Sequence, residues 1–143
     1  IMSSYGLERK MINLEVTETA AVGGNEMVSN NMTALITEGL TFSLDDYGTG
    51  FSNTTQLIKL PFKLIKLDKS ILWLAMKDES AMNVLKHTIS MLHSLYREIV
   101  VEGVETKEQV DLLTELGCHY LQGYYYSKPL PSTEFLNYLA CKN

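Results

Sequence analysis

The chain has 143 residues, 45% hydrophobic and 20% charged, the composition of a globular domain with one core of useful size. A formal net charge of -5 excludes the basic footprint that duplex nucleic acid or an anionic membrane surface requires, yet leaves room for a small anion held by local cations or a metal. The two cysteines, Cys118 and Cys141, stand at no metal-ligand spacing and read as free thiols, the apolar runs are too short to span a bilayer, and no signal peptide is visible.

In chain order, short apolar strands alternate with amphipathic helices. The first strand reads as 11–17. A helix follows over 26–38, with Val28, Met32, Leu35 and Ile36 on one face and Gly39 closing it. The second strand, 41–45, leads into the glycine loop Gly48-Thr49-Gly50 and a short helix over 54–58. The third strand, 62–67, follows Pro61. The longest helix spans 80–96, where Met82, Leu85, Ile89, Leu92 and Tyr96 keep a 3-4 spacing. A fourth strand over 99–102 runs into Gly103. Thr106 and Gln109 then have the spacing of a capping box, Val110, Leu113 and Leu116 form the apolar stripe of the next helix, and Gly117 ends it. The fifth strand reads as 119–125. Pro129 and Pro131 turn the chain, and Ser132 begins a last helix.

This alternation predicts right-handed βα crossovers and a parallel sheet. Five such units suit either an open doubly wound sheet or part of a (β/α)8 barrel, since a complete barrel takes about 250 residues. No Gly-x-Gly-x-x-Gly follows the first strand, which argues against a dinucleotide fold.

Functional groups of parallel α/β folds gather at the C-terminal ends of the strands, and here every strand ends on polar or charged residues. The first carries Glu15, the second Asp45 and Asp46, the third Lys66 and Asp68; Glu102 and Glu105 follow the fourth, and Gln122 lies on the fifth. Alternation turns Leu14, Val16, Leu44, Ile65 and Leu67 toward the helices and Glu15, Asp45 and Lys66 to the opposite face, with Glu102 on the face of Val100. Charged side chains on an inner face are costly unless they pair or bind something. Three carboxylates converging with one lysine are what an oxygen-ligating divalent cation site requires. Taken singly, each has a plainer use as a helix cap, a surface charge or a loop start; it is the recurrence along successive strands that points to a site. His87, His93 and His119, without ligand spacing, read as structural, and Trp73, the methionines and the tyrosines at 124–126 as packing residues.

Five segments together resemble one family. Leu14-Glu15-Val16-Thr17-Glu18 is similar to the ExTE motif of EAL domains, and Leu44-Asp45-Asp46-Tyr47-Gly48-Thr49-Gly50-Phe51-Ser52 to their DDFGTGYS loop. Leu64-Ile65-Lys66-Leu67-Asp68 resembles the KID segment, Glu102-Gly103-Val104-Glu105-Thr106 the EGVET motif, and Gln122-Gly123-Tyr124-Tyr125-Tyr126-Ser127-Lys128-Pro129 the QGYxxSKP segment. The resemblance implies a partial TIM-like barrel and a two-metal hydrolysis of cyclic di-GMP to linear pGpG with Mg²⁺ or Mn²⁺. By position, Glu15 and Asp45 would ligate the first metal, and Asp45 would bridge to a second that Asp46 and Glu102 help to hold. Lys66 would contact the attacking water or the phosphate, Glu105 would hold the glycine loop, and Gln122 would orient the region of Glu102 or the water. The base is left between Glu102 and Lys66, and a lysine beside cations is expected to have a lowered pKa.

The Glu-Ala-Leu signature and an asparagine ligand are not in the sequence; both, with about three strand-helix units, are expected upstream of Ile1. The chain is thus expected to be the C-terminal portion of one domain, inactive or weak alone, self-associating through its open edge, and cytoplasmic even if the longer protein is membrane-anchored. Asn53-Thr54-Thr55 departs from the family's continuation after Ser52, which weakens any metal coupling across a dimer. Two competing readings are a non-catalytic cyclic-di-GMP receptor or interaction module on the same fold, and an unrelated barrel hydrolase with paired carboxylates.

Overall fold

A computed structural model describes residues 2–22, 26–49 and 54–142. Five strands, β1 (Asn13–Thr17), β2 (Thr41–Tyr47), β3 (Leu64–Leu67), β4 (Glu98–Val101) and β5 (Tyr120–Leu121), form one parallel sheet in the order β1-β2-β3-β4-β5. A doubly wound sheet reverses its strand order at a switch point, whereas a barrel lays each strand beside the last. The sequential order therefore decides between the two architectures in favour of part of a (β/α)8 barrel. Between the strands run α1 (Glu18–Val22), α2 (Glu26–Thr37), α3 (Thr54–Lys59), α4 (Lys69–Ala75), α5 (Glu79–Ser94) and α6 (Lys107–Glu115), and α7 (Ser132–Lys142) follows β5.

The core lies between sheet and helices. Leu44, Ile65, Leu67, Ile99 and Val101 pack from the strands against Leu57, Leu72, Leu85, Ile89, Leu92 and Leu113 from the helices, all of them buried. Each such side chain contributes about 1.5–3 kcal/mol of transfer free energy, so this layer fixes the strands that carry the polar face. Local signals set the helix starts. Asp78 Oδ1 accepts from Ala81 N at 2.8 Å to open α5, and Thr106 and Gln109 make the reciprocal capping box of α6.

Several boundaries differ from the sequence reading. The helix α4 was not anticipated; Asp68 opens it, its Oδ1 accepting from Ser70 N at 2.9 Å. Burial, the largest single influence, raises the pKa of this carboxyl, but the hydrogen bonds from Ser70 and the Lys69 backbone and the Lys69 charge together outweigh it and hold the group below the usual aspartate range. Tyr96 does not join the apolar face of α5. The helix ends at Ser94, and Tyr96 stands beyond it in the left-handed region (φ +56°), 95% exposed. The fifth strand is only two residues long, and just beyond it, at Gly123, the chain passes so close to Val104 that a Cβ would lie 2.0 Å from its carbonyl oxygen. Of the apolar face of α2, Met32 is buried while Val28, Leu35 and Ile36 face solvent. Gly50 to Asn53, the end of the glycine loop and the start of the divergent segment, lie outside the described residues.

Candidate functional site

The inner face of the sheet places a lysine among carboxylates. Lys66 points away from the helix-facing Ile65 and Leu67, and its ammonium lies 2.8 Å from Asp45 Oδ1, 2.9 Å from Glu102 Oε1 and 3.2 Å from Glu15 Oε1. The alternation read from sequence thus brings Glu15, Asp45, Lys66 and Glu102, from β1, β2, β3 and the end of β4, to one point. The Lys66 side chain is 11% exposed, Asp45 and Glu102 are 20% and 21% exposed, and Glu15 on the edge strand is 51% exposed.

Burial alone would lower the lysine pKa, but hydrogen bonds to Asp45, Glu102 and Glu15 outweigh it and hold Lys66 above the ordinary lysine range. The lowered value expected beside bound cations belongs to a metal-loaded site; with carboxylates as the neighbours that face Nζ, the ammonium form is the one stabilised.

A bulge in β2 sets the acidic pair. Leu44 pairs with Ile65 and Tyr47 with Leu67, so three steps on β2 match two on β3. The extra residue falls at Asp45-Asp46, and Asp46 takes φ +58°. Bulges re-aim side chains at the rims of sheets, and aspartate tolerates the left-handed region better than most residues. Asp45 is turned onto Lys66, while Asp46 is half-buried at the rim and is not among the Lys66 partners. The Asp46 carbonyl accepts from Thr49 N at 3.2 Å and from Thr49 Oγ1 at 3.0 Å, closing the start of the glycine loop.

Glu18 holds that loop. It is buried, and its Oε2 accepts from Gly48 N at 3.1 Å. Glu105, to which the resemblance assigns the same loop, borders a cleft of about 200 Å³ with Lys69, Trp73, Glu102, Gln122 and Tyr124. Glu18 lay inside the quoted ExTE segment, and its position at the head of α1, facing back toward β2, was the signal available. Gly48 is itself held tightly: its φ is +99°, and a Cβ there would lie 2.1 Å from Ile71 Cδ1.

Gln122 stands in the cleft at the end of β5; its backbone N–H donates to Val101 O at 2.9 Å and its carbonyl accepts from Val104 N at 3.1 Å. Trp73 and Tyr124, read as packing residues, are part-exposed and line the cleft, with the Lys69 ammonium 5.3 Å from the Trp73 ring and that of Lys128 5.6 Å from the Tyr124 ring. His119 Nδ1 accepts from Ile99 N at 3.1 Å, in line with its structural reading. Both cysteines are free, and burial pushes the Cys118 thiol up to about 12.

The donor set suits a hard divalent cation, being entirely carboxylate oxygen. Asp45 Oδ1 is buried with the Lys66 ammonium at 2.8 Å, and a carboxylate oxygen with one such partner retains a lone pair for a cation. With the ammonium at the centre, no three acidic, histidine or cysteine side chains among the described residues stand close enough to enclose one ion. The residues present therefore fit a metal in charge and chemistry, with Lys66 as the cation they now share. Among the described residues no helix is long and apolar enough to cross a membrane.

Known proteins resemble this chain in sequence and in fold. Residues 1–129 match the EAL domain family. The cyclic di-GMP phosphodiesterase PdeL of Escherichia coli is 34% identical over 137 residues, covering 96% of this chain and 38% of PdeL. The cyclic di-GMP phosphodiesterase RocR of Pseudomonas aeruginosa is 31% identical over 140 residues, 98% of this chain and 36% of RocR. The solved c-di-GMP complex of the PaMucR phosphodiesterase superposes with a TM-score of 0.86 at 31% identity, over 94% of this chain and 54% of that one. The chain thus spans little more than a third of the length of PdeL or RocR. Matched along most of its length, the chain belongs to the EAL domain family.

Proposed function

We propose that this chain forms the C-terminal part of a cyclic-di-GMP phosphodiesterase that yields linear pGpG with Mg²⁺ or Mn²⁺. The observation that carries the reading is the convergence of Glu15, Asp45 and Glu102 on Lys66 at the C-terminal ends of adjacent strands. The names of PdeL and RocR, and the ligand of the PaMucR complex, support it. Glu15, Asp45, Asp46 and Glu102 would hold the ions, which when bound supply a more acidic water and charge neutralisation at the phosphoryl oxygens.

The protein's own groups complete the chemistry. The Lys66 ammonium, a fixed positive charge with three donors, is suited to a phosphate oxygen once the carboxylates engage the metal. Glu18 keeps the start of the glycine loop against the strand end, and Glu105 and Gln122 border the cleft beside Glu102. Edges β1 and β5 are open in the sheet, and an eight-stranded barrel pairs both; further units supplied by residues outside this chain would close it. Self-association belongs to the same reading, since β1 is an open edge of the sheet and α2 leaves Val28, Leu35 and Ile36 part-exposed. Free cysteines accord with a cytoplasmic setting.

The test is incubation of the chain, and of a form extended upstream, with cyclic di-GMP and Mn²⁺, using Asp45→Ala as control. Linear dinucleotide from the extended form that is lost in Asp45→Ala supports the reading. Tight binding without turnover in the extended form would instead support the receptor function.

A further inference from the structure

The turn that carries Glu102 is held from three sides. Glu102 N donates to Leu67 O at 3.0 Å, tying the turn to β3, and Val104 N donates to Gln122 O at 3.1 Å, tying it to the end of β5. The residue between them, Gly103, has φ +70°, and its carbonyl accepts from Trp73 Nε1 at 2.8 Å. Trp73 belongs to α4, the helix that starts directly after the strand bearing Lys66. The indole therefore links the segment of Lys66 to the segment of Glu102 on the side of the cleft, in addition to the β3–β4 backbone pairing.

Three features set this apart from ordinary packing. Trp73 is 37% exposed and borders the cleft, so its ring is not a core anchor. The approach is close: a Cβ on Gly103 would lie 2.3 Å from Lys69 Cβ and 3.2 Å from Trp73 Nε1. The Lys69 ammonium, 5.3 Å from the ring centroid, draws electron density from the indole and strengthens its N–H as a donor.

We propose that Trp73 is a positioning residue that fixes the Gly103 carbonyl and thereby the place of the Glu102 carboxylate relative to Lys66. This rests on the phosphodiesterase reading of the site. Without the indole N–H the Gly103–Val104 peptide keeps only the Val104 N–H bond to Gln122 O, so it is held on one side alone and Glu102, one residue before Gly103, is placed less firmly; small displacements of a reacting group slow chemistry more than they weaken binding.

Trp73 is the single tryptophan of the chain, so its indole N–H gives one assignable nuclear magnetic resonance signal. In the unsubstituted chain this proton is expected to exchange slowly with solvent, and its resonance to move in Glu102→Gln. Exchange at the rate of free indole, or a resonance unmoved by Glu102→Gln, would overturn the proposal. In the upstream-extended enzyme, Trp73→Phe is expected to lower kcat about tenfold with KM within about twofold and the melting temperature little changed. An unchanged kcat, or a loss of kcat that tracks a lost melting temperature, would also overturn it. Absence of hydrolysis in the unsubstituted extended protein would count against the phosphodiesterase reading, while the indole signal would still decide whether Trp73 holds the turn.

Discussion

Strands β2 and β4 on one side and the edge strand β1 on the other deliver carboxylates to the lysine of β3 from different surroundings. Behind β2, β3 and β4, Leu44, Ile65, Leu67, Ile99 and Val101 are buried against α3 to α6, and Asp45 and Glu102 sit only about a fifth exposed. Behind β1, Leu14 and Val16 are only partly buried, α2 keeps Val28, Leu35 and Ile36 in solvent, and Glu15 is half exposed. Side chains that a packed layer holds in place start closer to a productive geometry than side chains on an open edge. The Asp45–Lys66–Glu102 group is thus the preorganised part of the site, and Glu15 the adaptable part.

The largest effects are expected where the inner face depends on the core. Lys66→Met leaves Asp45 and Glu102 facing each other without a cation, so unfolding in urea should show a loss of about 3 kcal/mol and hydrolysis by the extended enzyme should fall below detection. Leu85→Ala, beneath β3 and β4, should cost about 3 kcal/mol, whereas Leu35→Ala on α2 should cost below about 1 kcal/mol. Equal costs in those two variants would erase the contrast between the regions. Gly103→Ala should destabilise by about 2 kcal/mol in thermal melts, from its left-handed φ and the clash with Lys69 Cβ.

Smaller effects sharpen the same contrast. Glu18→Ala removes the acceptor of Gly48 N–H and should cost about 1 kcal/mol, with faster amide exchange confined to the loop after β2. The Asp68 cap should add a minor pH dependence. Because its folded pKa lies below the unfolded value, its contribution is complete above about pH 4 and is lost as the pH falls through the folded pKa. Asp68→Asn should flatten that part of the acid-stability curve and lower the neutral plateau by the same small amount.

Much of this could be read in the sequence, for identifiable reasons. Period-2 alternation separated Asp45 and Lys66 from Leu44 and Ile65, and it placed the charged cluster on the inner face. Thr106-x-x-Gln109 marked the start of α6 because the capping box is a local interaction. What escaped was either non-local or overridden by geometry. The bulge at Asp45-Asp46 depends on how β2 registers against β3, which no single segment encodes. Tyr96 kept the 3-4 spacing but fell beyond the turn at which α5 ends. Trp73 read as packing because its indole bond to Gly103 joins residues thirty positions apart.

The most direct test of the site itself is Mn²⁺ binding, followed by the electron paramagnetic resonance of the free ion, in the unsubstituted protein, Asp45→Ala, Glu15→Gln and Glu38→Ala. Glu38, whose exposed carboxylate pairs with Arg9, serves as the control outside the cluster. The account expects saturable binding that is abolished in Asp45→Ala, weakened in Glu15→Gln and unchanged in Glu38→Ala. Equal binding by all four proteins would contradict it, because the strand-end carboxylates would then not form the metal site.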